Sequence, residues 1–145
     1  MKVMVMVKVD GADEDKSTAT REMLAAMGEY NERLVKAGIM LDGAGLRASA
    51  AGVKVIFEGG TTSVVDGPFT EAKEIIGGYW VWQVNSMEEA VEWAKQCPAG
   101  PDGQHGVLEI RPYADESDFG DEYTAEQREF DAKLGEQIRV QHGQG

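Results

Sequence analysis

The clearest structural signal in the sequence is Val65-Asp66-Gly67-Pro68-Phe69-Thr70-Glu71-Ala72-Lys73-Glu74. A β-branched run at 61–65 ends at this stretch, and an apolar run at 79–84 follows it. Its Asp can bond the backbone ahead of it, its Gly tolerates positive φ, and its Pro fixes φ and lacks an N–H. The pattern therefore predicts a rigid corner between two strands, with Asp66 held on it.

Working outward from the corner, hydrophobic periodicity predicts a short series of strands and helices. The predicted strands are 2–9, 39–46, 53–57, 61–65, 79–84 and 107–111, and the two predicted helices are 18–37 and one that starts after Ser86. Gly43 and Gly45 interrupt 39–46, which favours a bulge or a close backbone approach there. The order is strand, helix, strand, extra hairpin, strand, helix, strand. We therefore expect an α+β, ferredoxin-like split βαβ fold, with an antiparallel sheet and two helices on one face.

Two capping boxes are predicted. In each, a hydroxyl oxygen accepts the backbone N–H of the residue three positions later, and the side chain of that later residue accepts the backbone N–H of the hydroxyl residue. They pair Ser86 with Glu89, and Thr124 with Gln127. The second lies beyond Pro112, where the composition becomes acidic. We predict two parts: a ferredoxin-like domain at 1–113 and an acidic C-terminal extension with a helix at 114–145. A thin apolar stripe on that helix suggests an arm that docks on the domain or on a partner, with Phe130, Leu134 and Ile138 as its members.

Net charge, cysteine count and the motifs in the sequence exclude several classes of function. The net charge is -12 and the pI about 4.5, so the surface repels phosphate backbones and anionic lipid, and we expect neither direct nucleic-acid binding nor membrane association. The single Cys97 suits a reducing compartment, and without a signal-peptide pattern the expected location is the cytoplasm. We find no zinc spacing, calcium loop or phosphate-binding loop, and expect neither a metal nor a cofactor.

The corner also carries a family resemblance. Together with Gly77-Gly78-Tyr79, Glu92-Trp93-Ala94, Cys97-Pro98 and Glu109-Ile110-Arg111-Pro112, it resembles the YCII-related proteins with a DGPF motif, from Met1 to about Pro112. The resemblance implies a dimeric α+β barrel in which two ferredoxin-like sheets pack face to face, with a proposed enzymatic role in a polar cleft. Some YCII proteins pair the acid with an N-terminal histidine, but here the histidines are His105 and His142. Some relatives are associated with sigma-factor-type regulators.

Asp66 is the candidate catalytic residue. In a cleft between strands it could act as a general acid or base, and it would then be partly buried. The structural alternative is an Asp that only caps the turn, and an Asp before Gly-Pro slightly favours it.

Five further residues are candidates for ligand binding. Glu109 and Arg111 alternate with Leu108 and Ile110, so they should point away from the helices, either towards a ligand or into a salt bridge. The other three candidates are Lys73, Tyr79 and His105. Their structural alternatives are a solvated turn, a core or interface aromatic, and a surface loop.

Two functions remain open. The leading one is a homodimer that binds a small molecule in a polar pocket near Asp66, with acid/base catalysis undecided. The alternative is a non-catalytic interaction or regulatory module. The homodimer rests on Met4 and Met6, which lie opposite the valine face of the first strand, and on the two-sided apolarity of 79–84, because two helices cover only one face of a sheet.

Overall fold

The computed structural model describes residues 1–14, 19–98 and 106–143, and the chain divides into two compact units, Met1–Tyr113 and Ala114–Gly145. In its described residues, the first unit contains six strands and two α-helices. They are β1 (Lys2–Val9), α1 (Arg21–Lys36), β2 (Met40–Gly45), β3 (Val53–Glu58), β4 (Thr61–Asp66), β5 (Ile75–Gln83), α2 (Met87–Ala94) and β6 (Val107–Pro112). The second unit contains α3 (Ala125–Gln141) after a 3-10 helix at Glu116–Glu122.

The main sheet has four strands in the order β2-β5-β1-β6, and all of its pairings are antiparallel. One face packs against the helices. Val5 and Trp82 on this face are buried with Tyr30 and Leu34 of α1 and with Ala90 of α2. The α+β, ferredoxin-like class predicted from the sequence is therefore confirmed.

Strand β5 is longer than predicted. It begins at Ile75 and not at Tyr79, because Ile75 and Ile76 pair with Val9 and Lys8 of β1. A shift in register between Val7 and Lys8 accommodates the extra residues, so the two glycines at 77–78 lie inside the strand. The register of β2 against β5 shifts between Met40 and Asp42, ahead of the two glycines at which a bulge or a close approach was predicted. Of those two alternatives, Gly43 shows the close approach, since a Cβ there would lie 2.9 Å from the Trp80 ring.

The predicted hairpin is also confirmed, and it forms a sheet of its own. Strands β3 and β4 pair as a separate two-stranded antiparallel sheet. Gly59 and Gly60 adopt φ values of 56° and 79° in the connecting turn, a conformation that residues with a Cβ rarely adopt. The Thr61 hydroxyl donates to the Glu58 carbonyl across the turn at 2.6 Å.

The two predicted capping boxes are only half correct. Ser86 and Thr124 do accept the expected backbone N–H groups, from Glu89 and Gln127. The reciprocal bonds are replaced, because the Glu89 carboxylate accepts from the Asn85 amide and the Gln127 amide donates to Asp131. In both cases the replacing partner lies four residues away along the chain.

A complete capping box occurs where the sequence indicated only an acidic loop. The Asp115 carboxylate accepts the Ser117 N–H, and the Asp118 carboxylate accepts the Asp115 N–H at 2.8 Å. The bonds to Ser117 lower the pKa of Asp115. Helix α3 then runs through Gly135 without a break. In the described parts of the chain, no helix is both long and apolar enough to cross a membrane.

Candidate ligand cleft and the corner beside it

Asp66 lies on the surface. It is the last residue of β4, opposite Val53, and its side chain is exposed, whereas a catalytic acid was expected to be partly buried. In the described ranges, its carboxylate takes part in no hydrogen bond or ion pair. The described residues give it neither a turn-capping bond nor a catalytic partner, so the role of Asp66 remains a prediction.

The corner itself is held by a relay of hydrogen bonds that begins on a different loop. The Glu14 carboxylate accepts the backbone N–H of Ser49 at 2.8 Å and also the Ser49 hydroxyl. The Ser49 hydroxyl oxygen in turn accepts the backbone N–H of Phe69 at 2.9 Å. Bonds to a carboxylate are the stronger kind, and Ser49 is buried. We call this set, Glu14, Ser49 and Phe69, the corner clamp.

Two glycines allow the loops of the clamp to approach closely. A Cβ on Gly67 would lie 1.8 Å from the Ser49 carbonyl oxygen, and a Cβ on Gly11 would lie 2.5 Å from the Phe69 carbonyl oxygen. The Gly11 N–H also donates to Ala72 at 2.9 Å. Only glycine fits at 11 and 67, so the Gly of the corner is required by packing.

A cleft of about 1530 Å³ lies at one end of the four-stranded sheet. Its helix side is formed by Met23, Ala26 and Met27 of α1, and its sheet side includes Gly43 and Gly78. The Trp80 indole N–H donates to the Asn31 amide oxygen at 2.9 Å, and both residues line the cleft.

The cleft is lined by both basic and acidic side chains. Lys8, whose side chain is 15% exposed, has its ammonium 3.8 Å from a carboxylate oxygen of Glu74 and 3.8 Å from one of Glu109. Lys73 and Arg47 also line the cleft, and in the described ranges no hydrogen bond or ion pair engages them. These two cations are therefore open to a ligand.

Cys97 lines the cleft as well. Burial raises the pKa of its thiol, which keeps it protonated and makes it a poor nucleophile. Within the described ranges, no group of His, Cys, Asp and Glu side chains could hold a metal ion.

The structure brings together some of the predicted site residues. Lys73 and Tyr79 line the cleft. Glu109 does not line it, but its carboxylate pairs with the ammonium of Lys8, which does. Arg111 is exposed on β6 opposite Met4, and His105 lies outside the described residues. Leu108 and Ile110 do pack on the core, as the alternation required.

Three residues of the cleft and clamp were missed. Lys8 had a signal in the sequence, since it places a charge inside the apolar run of β1. Glu14 and Ser49 had none, because they are 35 residues apart and their contact exists only in the folded chain.

Residues 1–116 match the family of the YCII-related domain. The chain belongs to the YCII family. This YCII domain is also similar to an uncharacterised protein of Rhizobium meliloti (strain 1021), with 30% identity over 101 residues, which is 70% of this chain and 77% of the relative. The matched residues include the cleft, the corner clamp and the hairpin.

Proposed function

We propose that this YCII domain binds a small molecule in the cleft at the end of its sheet. The cleft is the observation that carries the proposal. Ligand sites are concave, mostly apolar and furnished with a few polar groups, and they typically have volumes of about 300–1,000 Å³. A cleft of about 1530 Å³ leaves room for a ligand and water.

The lining supports a ligand with an apolar body and a polar end. Methionine side chains adapt to irregular shapes, and Met23, Met27 and Trp80 provide the apolar wall. The free ammonium of Lys73 and the phenol of Tyr79 provide polar contacts. Of the two carboxylates beside Lys8, Glu74 lines the cleft and is our candidate for acid/base chemistry there. Glu109 lies outside the lining, as does Asp66, which remains the candidate from the sequence.

The test compares two adjacent alanines of α1. Ala26 lines the cleft and Ala25 is exposed outside it, so Ala26→Trp fills the cleft and Ala25→Trp is the matched control. A thermal-shift screen against a metabolite collection should yield a ligand that stabilises the native chain and the Ala25 variant but not the Ala26 variant. A ligand that stabilises all three equally would place the site elsewhere and contradict the proposal.

We also propose that the domain is a homodimer of the DGPF subgroup.

The alternative function, a non-catalytic interaction or regulatory module of a sigma-factor system, is supported by one observation. Helix α3 carries an exposed apolar stripe of Phe130, Leu134 and Ile138, which suits contact with a partner protein. Binding of a regulator protein that Ala26→Trp does not affect, without any small-molecule ligand, would favour this alternative.

A further inference from the structure

Asn31 is a polar side chain on an otherwise apolar face of α1. It lies one helical turn after Met27 and three residues before the fully buried Leu34. Residues three and four apart share a helix face, so Asn31 faces the sheet together with these two. It is half-buried, and it lines the cleft with Met27 and Trp80. A polar group in such a place calls for a partner or a function.

One hydrogen bond fixes the direction in which the Asn31 amide points. The Trp80 indole N–H donates to the amide oxygen of Asn31 at 2.9 Å. An indole nitrogen can only donate, so the atom that it meets must be the oxygen of the amide and not its NH2 group. The NH2 group of Asn31 therefore points away from the indole nitrogen.

Trp80 is itself held in place, so the orientation of the amide is set before a ligand binds. Trp80 is only 6% exposed, and the Tyr30 ring meets it edge-on with the ring centroids 5.9 Å apart. The Tyr30 hydroxyl donates to the Trp93 carbonyl at 2.6 Å, which ties this aromatic pair to α2. On the strand side, a Cβ on Gly43 would lie 2.9 Å from the indole, so the glycine leaves the room that Trp80 needs. A donor that is fixed in this way can select a ligand at a low cost in entropy.

The NH2 group has no acceptor among the described residues. Within the described ranges, the bond from Trp80 is the one hydrogen bond in which the Asn31 side chain takes part. In the same ranges, the one fully buried side-chain nitrogen or oxygen without a partner is Nε1 of Trp82, so the Asn31 NH2 is within reach of solvent. A donor that water can reach from the cleft can equally be reached by the oxygen of a ligand that takes the place of the water.

The chemistry of this donor decides which ligand group suits it. A carbonyl or carboxylate oxygen accepts hydrogen bonds and has nothing to donate, so it matches an NH2 group. A group that can only donate finds the amide oxygen turned away towards Trp80. The neighbouring wall of Met23, Ala26 and Met27 suits an apolar body next to that oxygen.

We propose that Asn31 selects the polar end of the ligand: the cleft takes an apolar molecule that carries a carbonyl or carboxylate oxygen, and the NH2 group of Asn31 donates to that oxygen. The inference rests on the small-molecule cleft proposed above, and it names the class of ligand and the residue that recognises it. Trp80 is the positioning residue, because its N–H sets the orientation of the amide.

The first test uses camphor and borneol, which share one rigid apolar skeleton. Camphor carries a carbonyl oxygen that only accepts, and borneol carries in its place a hydroxyl that also donates. The chain has two asparagines, and the exposed Asn85 lies outside the cleft lining, so it serves as an internal control. In a magnetic-resonance titration of the isotope-labelled native chain, camphor should shift the side-chain amide signals of Asn31 and leave those of Asn85 in place. Camphor that binds without shifting the Asn31 signals would overturn the proposal, and this result does not depend on the folding of a variant.

The second test is Asn31→Asp, which keeps an acceptor for Trp80 and replaces the NH2 group by a second oxygen. An ionised carboxylate only accepts, so the affinity for camphor should fall by about three- to tenfold, the scale of one hydrogen bond. The affinity for borneol should be retained, because its hydroxyl can donate to the carboxylate. Both probes are uncharged, so the added charge does not by itself separate them. Asn85→Asp is the matched control and should leave both affinities unchanged, and circular dichroism verifies that both variants are folded. Equal losses for the two compounds, or no loss, would overturn the role of Asn31.

The outcomes separate this inference from the function on which it rests. Ala26→Trp fills the cleft and should abolish the binding of both compounds. If the metabolite screen described above yields a ligand of the cleft that lacks a carbonyl or carboxylate oxygen, or if the native chain binds neither camphor nor borneol, the inference is wrong while the cleft remains a binding site for the ligand of the screen. If the screen yields no ligand that Ala26→Trp excludes, the proposed function and the inference fail together.

Discussion

Replacing Ser49 by Ala should destabilise the fold because it removes the middle of the corner clamp. The hydroxyl donates to the Glu14 carboxylate and accepts the Phe69 N–H at 2.9 Å. The substitution leaves the backbone bond from the Ser49 N–H to Glu14 in place. It therefore tests the side-chain relay alone.

The magnitude follows from the two bonds. A hydrogen bond to a charged group contributes about 1.5–3 kcal/mol, and a buried N–H left without a partner costs about 1–3 kcal/mol. The Phe69 N–H is only partly buried, so water offsets part of the second cost. We expect a loss of about 2–4 kcal/mol in the free energy of unfolding, or roughly 4–16 °C in Tm for a chain of this size.

The assay is urea denaturation followed by tryptophan fluorescence. Ser63→Ala, an exposed serine on the hairpin, is the matched control and should stay within about 0.5 kcal/mol of the native chain. Adding Glu14→Gln to both backgrounds completes a double-mutant cycle, and the coupling should be about 0.5–3 kcal/mol.

Two results would refute the reasoning. If Ser49→Ala is as stable as the Ser63 control, the clamp does not hold the corner. If the cycle shows no coupling, Glu14 and Ser49 act independently and the relay between them is wrong.

Four further results are expected. Trp82→Ala empties a fully buried position and should lower the free energy of unfolding by about 3–5 kcal/mol in chemical denaturation, and a loss under 1 kcal/mol would contradict its burial. Burial raises the pKa of Tyr30 above its ordinary value of 10.0, so its contribution to stability is complete below pH 10 and declines as the pH rises further. A Tyr30→Phe variant should show a flatter decline in Tm above pH 10, and an unchanged profile would assign the alkaline loss to other groups. Because the Asp66 side chain is exposed, the free energies of unfolding of Asp66→Asn and Asp66→Ala should both lie within about 0.5 kcal/mol of that of the native chain. A larger loss for the Ala variant alone would reveal a structural hydrogen bond. Deleting 114–145 should leave a first unit whose circular dichroism signal melts cooperatively, and an aggregated product would mean that the extension is part of the core.

Much of the fold could be predicted because its signals are local. Alternation along β1 and the glycines at 59–60 identified a strand and a hairpin without any knowledge of the rest of the chain. Each feature depends on the conformations that a few neighbouring residues prefer, so the sequence was sufficient. The order of elements followed from the same periodicity, and the family resemblance added the expectation of a dimeric barrel.

The candidate site could not be predicted to the same extent. Lys73, Tyr79 and Glu109 were identified by their residue types, but their place in or beside the cleft follows from how α1 meets the sheet. The sequence singled out Asp66, whereas the folded chain exposes it and uses Phe69 of the same corner in a clamp.

The sequence by itself therefore determined which segments form strands, helices and turns, because those preferences arise within a few residues. Only the tertiary structure decided which side chains meet. Glu14 reaches Ser49 across 35 residues, and Gly67 approaches it so closely that a single methyl group would collide. The same long-range packing buries Met6 on the main sheet and leaves Phe57 exposed on the hairpin. The sequence pattern places both residues at apolar positions of predicted strands. Whether each is buried depends on long-range contacts that no local pattern specifies.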